Sequence, residues 1–210
     1  MRWIGIIVGF LVLMGCGNKP PQLPVLAENA KIIAFGDELT AAPHLTNEQT
    51  YPALLEKQLK RPVINAGVAG ETLAQAVKRF HQLIETEKPA LIILCHGGYH
   101  FEPDNEKNNV EILEQFRQML GFARAKKVSV ILMGVPEKTP PHFAPAGFYK
   151  RLASAFEIPY NGAILSKLLP NPQMMDTAHS LPNPQAYQLV VDALVSLLQE
   201  THAISTQNTP

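Results

Sequence analysis

The sequence has little from which covalent or electrostatic scaffolding can be built. Its 210 residues include two cysteines, Cys16 and Cys95, and one tryptophan. Cys95 closes an apolar run, the place of a small buried hydrophobe, and the mature domain has no second thiol with which it could form an internal disulfide. Lys plus Arg equal Asp plus Glu at 18 each, so no cationic surplus exists to neutralise phosphates, and nucleic acid is excluded as a partner. No apolar run approaches the ~20 residues that cross a bilayer as a helix, and no internal repeat marks a solenoid. What remains, with 46% hydrophobic residues, suits one compact domain with an ordinary core, expected to be a monomer.

The N-terminus has features of its own. Arg2 precedes an apolar run from Trp3 to Met14, with the proportions of a secretory h-region. It ends in "LMGC", Leu13 to Cys16, which resembles the lipobox of bacterial lipoproteins. The resemblance implies cleavage after residue 15, diacylation of Cys16 and a membrane anchor; Gly17 rather than Asp after the cysteine points to the outer membrane, facing the periplasm. A plain signal peptide or a short anchor with an incidental cysteine is the alternative. Residues 16–30, "CGNKPPQLPVLAENA", then read as a proline-rich tether, 31–200 as the domain, and 201–210 as a polar, disordered tail.

From Lys31 onward, short β-branched runs alternate with amphipathic stretches. "KIIAF", "PVINA", "ALIILCH" and "VSVILMGV" read as strands buried on both faces, as in a parallel sheet. Between them, Leu73, Val77, Phe80 and Ile84 fall at helical spacing, as do Val110, Leu113, Phe116 and Leu120, the latter helix starting near Asn108. A helix is expected over 147–156 and a final one capped by Asn183, with Pro184 at its first position and a stripe of Tyr187, Val190, Val191, Leu194 and Leu198. Such alternation predicts an α/β fold, a three-layer α/β/α sandwich on a central parallel sheet, flavodoxin-like.

Ligands of open α/β sheets lie beyond the carboxyl ends of the strands. Three blocks follow strands directly: "GDELT", "NAGVAGET" and "HGGYH"; a fourth, "DTAH", precedes the last helix. In this order and spacing the four resemble the blocks of GDSL or SGNH hydrolases, in the bacterial branch of arylesterases, lysophospholipases and acyl-CoA thioesterases. The resemblance spans Lys31 to about Gln199. It implies that Asp176 and His179 form the acid–base pair, that Gly70 lends an oxyanion-hole amide, and that the cleft takes an acyl ester or lipid-like ligand without any cofactor.

Two positions depart from that pattern. Glu38 stands where the serine nucleophile belongs, and Tyr99 where the oxyanion asparagine belongs, with His100 after it. A carboxylate attacking an ester would form an anhydride, and its charge opposes the oxyanion beside it, so ordinary serine esterase activity is not expected. Three readings stay open: a degenerate enzyme with a binding or structural role; hydrolysis by Glu38 and His179 through water, the least favoured version adding a metal held with His96 or His100; or residual activity from a nearby hydroxyl, Thr40 or Ser180. Glu38 at the start of a helical turn is expected within reach of His179, holding the imidazole protonated. Tyr99 is read as a lid over the cleft, His81 as lying on the polar side of its helix, His142 as solvent-facing, and His44 as part of the mouth.

Overall fold

The computed structural model describes residues 19–97, 106–137 and 143–205, with side chains in the second segment from Asn109. Five strands form one parallel sheet: β1 (Ile32–Gly36), β2 (Val63–Gly67), β3 (Leu91–Cys95), β4 (Ser129–Met133) and β5 (Tyr160–Asn161), in the spatial order β2-β1-β3-β4-β5. β1 and β3 are buried along their whole length, as apolar runs flanked on both sides require. β2, read as equally buried, is an edge strand and leaves Ile64, Asn65 and Gly67 partly exposed.

Among the described residues seven α-helices connect and cover the strands: α1 (Glu38–Ala41), α2 (Tyr51–Leu59), α3 (Leu73–Glu87), α4 (Glu106–Ala125), α5 (Gly147–Phe156), α6 (Ile164–Leu168) and α7 (Pro184–Glu200). The step from β1 to β2 runs opposite to the later steps across the sheet, so right-handed crossovers put α2 on one face and α3, α4 and α5 on the other. α2 packs against α7 and α3 against α4, completing the α/β/α sandwich that the sequence predicted. A two-stranded antiparallel ribbon, β6 (Met175–Asp176) with β7 (Leu181–Pro182), lies just before α7 and was not foreseen.

α3 buries the stripe read from its spacing, Leu73, Val77, Phe80 and Ile84, and adds Ala76. Thr72 and Gln75 close its first turn reciprocally, side chain to backbone in both directions. α7 likewise follows expectation, Asn183 Oδ1 accepting from the Ala186 amide at 3.0 Å. α4 departs from it. Asn108 lies inside the helix rather than at its cap, and the buried line is Ile112, Phe116, Met119, Leu120 and Ala123, with Val110 exposed. The alternative stripe was hidden because Met119 and Ala123 complete an equally regular 3.6-residue path.

The ends of the domain also differ from the reading of a loose tether and tail. The Leu23 and Leu26 amides donate to the carbonyls of Thr201 and Ala203 at 3.0 and 2.8 Å, and Leu26 and Ala203 are buried. Arg61 donates to the carbonyls of Ala27 and Leu26. Residues 23–30 and 201–204 therefore close the sandwich together, because Leu23, Leu26, Ala203 and Ile204 join the core cluster. Their polar neighbours concealed those few apolar contacts.

Candidate functional site

The site is built on the first strand-to-helix turn. β1 ends at Gly36, where an added Cβ would lie 2.1 Å from the Cys95 carbonyl and 2.2 Å from Thr40 Oγ1, so only glycine lets β3 and α1 close in. Asp37 caps α1, its Oδ1 accepting from the Leu39 amide at 3.2 Å, and Glu38 is the first helical residue, half-buried at the carboxyl end of the sheet. Glu38 thus lies at the start of a helical turn, as read from the sequence. At four residues α1 is too short for an appreciable macrodipole.

Asp37 is the more perturbed acid. It is buried, its Oδ2 accepts from the Gly97 amide at 3.2 Å and stands 3.8 Å from His96 Nδ1. Burial, then the adjacent Glu38 charge, push its pKa up to about 7, against the opposing pull of the Leu39 and Gly97 amides. The folded chain therefore holds a proton between about pH 4 and pH 7 that the unfolded chain, with an ordinary carboxyl near 3.8, has released. Stability contributed by this group is greatest below pH 4, falls by up to about 1.4 kcal/mol per pH unit through that window, and is level above it. Urea unfolding from pH 5 to 8 is expected to show this decline in the native chain and a flatter profile in Asp37→Asn.

His96, read as a strand-end residue near the cleft, is fully buried. Its Nε2 lies 3.6 Å from Glu71 Oε2, and its ring stacks on Phe35. Glu71 is gripped by Arg79 through two hydrogen bonds, at 2.8 and 2.6 Å. Arg79 also donates to the Ala66 carbonyl at 2.7 Å and the Gly36 carbonyl at 3.4 Å while its guanidinium lies 4.1 Å over the Phe35 ring. This clasp ties the ends of β1 and β2 to the start of α3. Sequence reasoning missed it, since Glu71 precedes the helix and its eight-residue separation from Arg79 matches no helical pairing.

Gly70 sits in the turn after β2 with φ of +73° and nothing within 4 Å of where a Cβ would be. Glycine is required there by backbone conformation and not by crowding, and the open surroundings suit an amide offered to a ligand. Gly70→Ala is expected to cost roughly 1 kcal/mol in urea unfolding, with Gly70→Asn costing less because Asn tolerates left-handed backbone.

Asp176 and His179 are brought together. His179 Nδ1 and Asp176 Oδ1 are 2.8 Å apart, and Asp176 Oδ1 also accepts from the His179 and Ala178 amides at 3.0 Å. The hydrogen bond from His179 holds the Asp176 pKa below its ordinary value. His44 joins them from the loop after α1: its ring centroid lies 5.3 Å from that of His179 and its Nε2 hydrogen-bonds the Pro182 carbonyl at 3.0 Å. Its place at the mouth agrees with its reading, but its contact with His179 had no sequence signal.

The expected ion pair between Glu38 and His179 is absent. Among the described residues Glu38 makes no side-chain hydrogen bond and no ion pair within 4.0 Å, so it does not touch the imidazole. Thr40 is fully buried, 3.2 Å from the Tyr51 hydroxyl, which removes it as a nucleophile. Ser180 is exposed in the turn after His179, its amide donating to the Asp176 carbonyl at 2.9 Å. His81, read as lying on the polar side of its helix, stacks on Phe122 of α4 at 4.0 Å. Cys95 is buried, and burial raises its thiol pKa far above the ordinary value, leaving it inert. Among the described residues no three His, Cys, Asp or Glu side chains converge as metal ligands. Tyr99, His100, His142 and Cys16 lie outside the described residues.

Comparison with known proteins agrees with this geometry. The GDSL-like lipase/acylhydrolase family matches residues 34–163. Esterase TesA of Pseudomonas aeruginosa is 30% identical over 143 residues, 64% of this chain and 67% of its own. Thioesterase 1/protease 1/lysophospholipase L1 of Escherichia coli is 25% identical over 180 residues, 80% of this chain and 83% of its own. Among solved structures, TesA superposes with a TM-score of 0.68 at 23% identity, covering 81% of this chain and 99% of that one. AlinE4, described as an SGNH-hydrolase family esterase, superposes with a TM-score of 0.62 at 25% identity, covering 83% and 97%. With the matched segment carrying the Gly36–Thr40 turn and the fold reproduced over four-fifths of its length, the chain belongs to the GDSL-like lipase/acylhydrolase family.

Proposed function

We propose that this chain is a membrane-anchored family member in which the hydrolytic cleft has become a binding site for a neutral acyl ester or another single-chain lipid-like molecule. The observation that carries the reading is Glu38 at the start of the turn after β1, in a chain whose Asp176–His179 pair is still formed at 2.8 Å. An acid–base pair can only activate a hydroxyl that is present, and a carboxylate neither needs nor uses that activation. Attack by Glu38 would give an anhydride while its negative charge faces the developing oxyanion, the reverse of the stabilisation that acyl transfer requires. Lipidation of Cys16 would supply the anchor, each buried methylene contributing ~0.8 kcal/mol.

The charge at position 38 also sets selectivity. It repels a free fatty-acid carboxylate and tolerates an uncharged ester. Calorimetric titration of the purified full chain is expected to show tighter binding of monoacylglycerol than of the matching fatty acid, with Glu38→Gln bringing the two closer together. Binding of neither, or cleavage of the ester during titration, would remove this reading. The retained dyad favours one second reading, in which His179 draws a proton from water and sustains slow hydrolysis; that activity would be lost in His179→Ala.

A further inference from the structure

α7 runs from the ribbon that carries Asp176 to the strap of residues 23–30, so its 17 residues set the candidate site and the start of the domain about 25 Å apart. Leu23, Leu26 and the Arg61 contacts fix that strap beneath the strand starts, and Lys19, Pro20 and Pro21 run along the flank beside Glu157 and Glu200 at the far ends of α5 and α7. Only Gly17 and Asn18 separate Lys19 from Cys16, a reach of about 11 Å at most. The 15-residue spacer implied by sequence is thereby shortened to a stub.

The same end of the molecule is furnished with lysine. α2, α3 and α4 finish there, and beyond each stands an exposed lysine in left-handed backbone: Lys60 (φ 52°), Lys88 (φ 47°) and Lys127 (φ 58°). That conformation favours glycine, and a basic residue at a helix C-terminus is favoured by the helix dipole. Among the described residues none of the three forms an ion pair, whereas the nearby acids Glu85 and Glu87 are matched by Lys126 and Lys31. The opposite end carries Glu38, Glu48 and Asp176, which have no Lys or Arg partner among the described residues.

We propose that the pole of strand starts and helix ends, marked by Lys60, Lys88 and Lys127, rests on an anionic lipid surface, with the Glu38–His179 cleft directed away from it. The inference rests on the anchored reading of Cys16. The stub brings the pole within reach of the headgroups, and basic groups near an anionic leaflet are drawn to it across a Debye length. Glu157 and Glu200 beside the stub, Glu28 in the strap and Glu56 in the last turn of α2 oppose the attraction, which leaves the lysines as the points of closest approach. The cleft, some 25 Å above the headgroups, then draws its ligand from the aqueous compartment and not from the leaflet that holds the anchor.

The test uses the full lipidated chain in vesicles of phosphatidylethanolamine and phosphatidylglycerol, with a fluorophore on a cysteine introduced by Lys88→Cys, Ala178→Cys or Thr177→Cys. Buried Cys95 and acylated Cys16 stay unlabelled. A nitroxide on lipid headgroups is expected to quench the label at 88 several-fold more than those at 177 and 178, and Lys60→Glu with Lys127→Glu is expected to reduce that quenching by at least half. Equal quenching at both ends, or stronger quenching at 177 and 178, overturns the orientation while the mass of the N-terminal peptide still shows acyl chains on Cys16. A peptide without acyl chains overturns the anchor and the orientation with it.

Discussion

Glu38→Ser is expected to raise hydrolysis of short acyl esters by about a thousand-fold over the native chain. Losing the nucleophile of a Ser-His-Asp unit costs on the order of a million-fold in turnover, and a missing oxyanion donor roughly a hundred to a thousand-fold. The variant restores the first and leaves Tyr99 in place of the second. The gain is expected because the rest of the turn is already formed: Asp37 caps it, Gly36 lets it pack, and Asp176 orients His179. Removing the Glu38 charge also takes away the second cause of the raised Asp37 pKa, so the decline of stability with pH should move to lower pH in the same variant. A p-nitrophenyl acetate or butyrate assay reads the first effect and urea unfolding the second. If the variant is as silent as the native chain, the lesion lies at Tyr99 or in the approach to the cleft.

Arg79→Met is expected to lower stability by about 3–5 kcal/mol, because it strands a buried carboxylate. Glu71, with its side chain 6% exposed, loses two charge-assisted hydrogen bonds, and the Ala66 carbonyl loses its donor at 2.7 Å. Coupling the change with Glu71→Leu removes both charges together, and the pair is expected to cost far less than Arg79→Met alone, since the desolvation penalty of the ions disappears with them. Guanidinium or urea unfolding of the two single variants and the double variant gives the coupling directly. Additive losses would show that the clasp does not act as a unit. The clasp also bears on the cleft, because it fixes the Gly36 and Ala66 carbonyls on either side of the turn that carries Glu38 and the turn that carries Gly70.

Much of this architecture was legible because it depends on local signals. The strands are apolar runs of fixed length, the first turn is forced by Gly36, and Asn183 with Pro184 writes the start of α7 into the sequence. Asp176 and His179 were legible as a pair because they match the closing block of the hydrolase family the sequence resembles, and three residues of turn suffice to bring them together. What escaped were contacts between parts of the chain far apart in sequence. His44 meets His179, Glu71 meets Arg79 before a helix begins, and Leu26 pairs with Ala203 across nearly the whole chain. Periodicity carries no information on such encounters. The α4 stripe failed for another reason: its helix offers two apolar lines, and only packing against α3 and α5 selects between them.

The account turns on whether the native chain retains any nucleophile-dependent hydrolysis. The most direct measurement compares steady-state cleavage of p-nitrophenyl butyrate by the native chain and by His179→Ala at equal concentration. Equal rates are expected, both at the level of uncatalysed hydrolysis. A native rate well above background that His179→Ala abolishes would contradict this expectation and make His179 part of a working catalytic site.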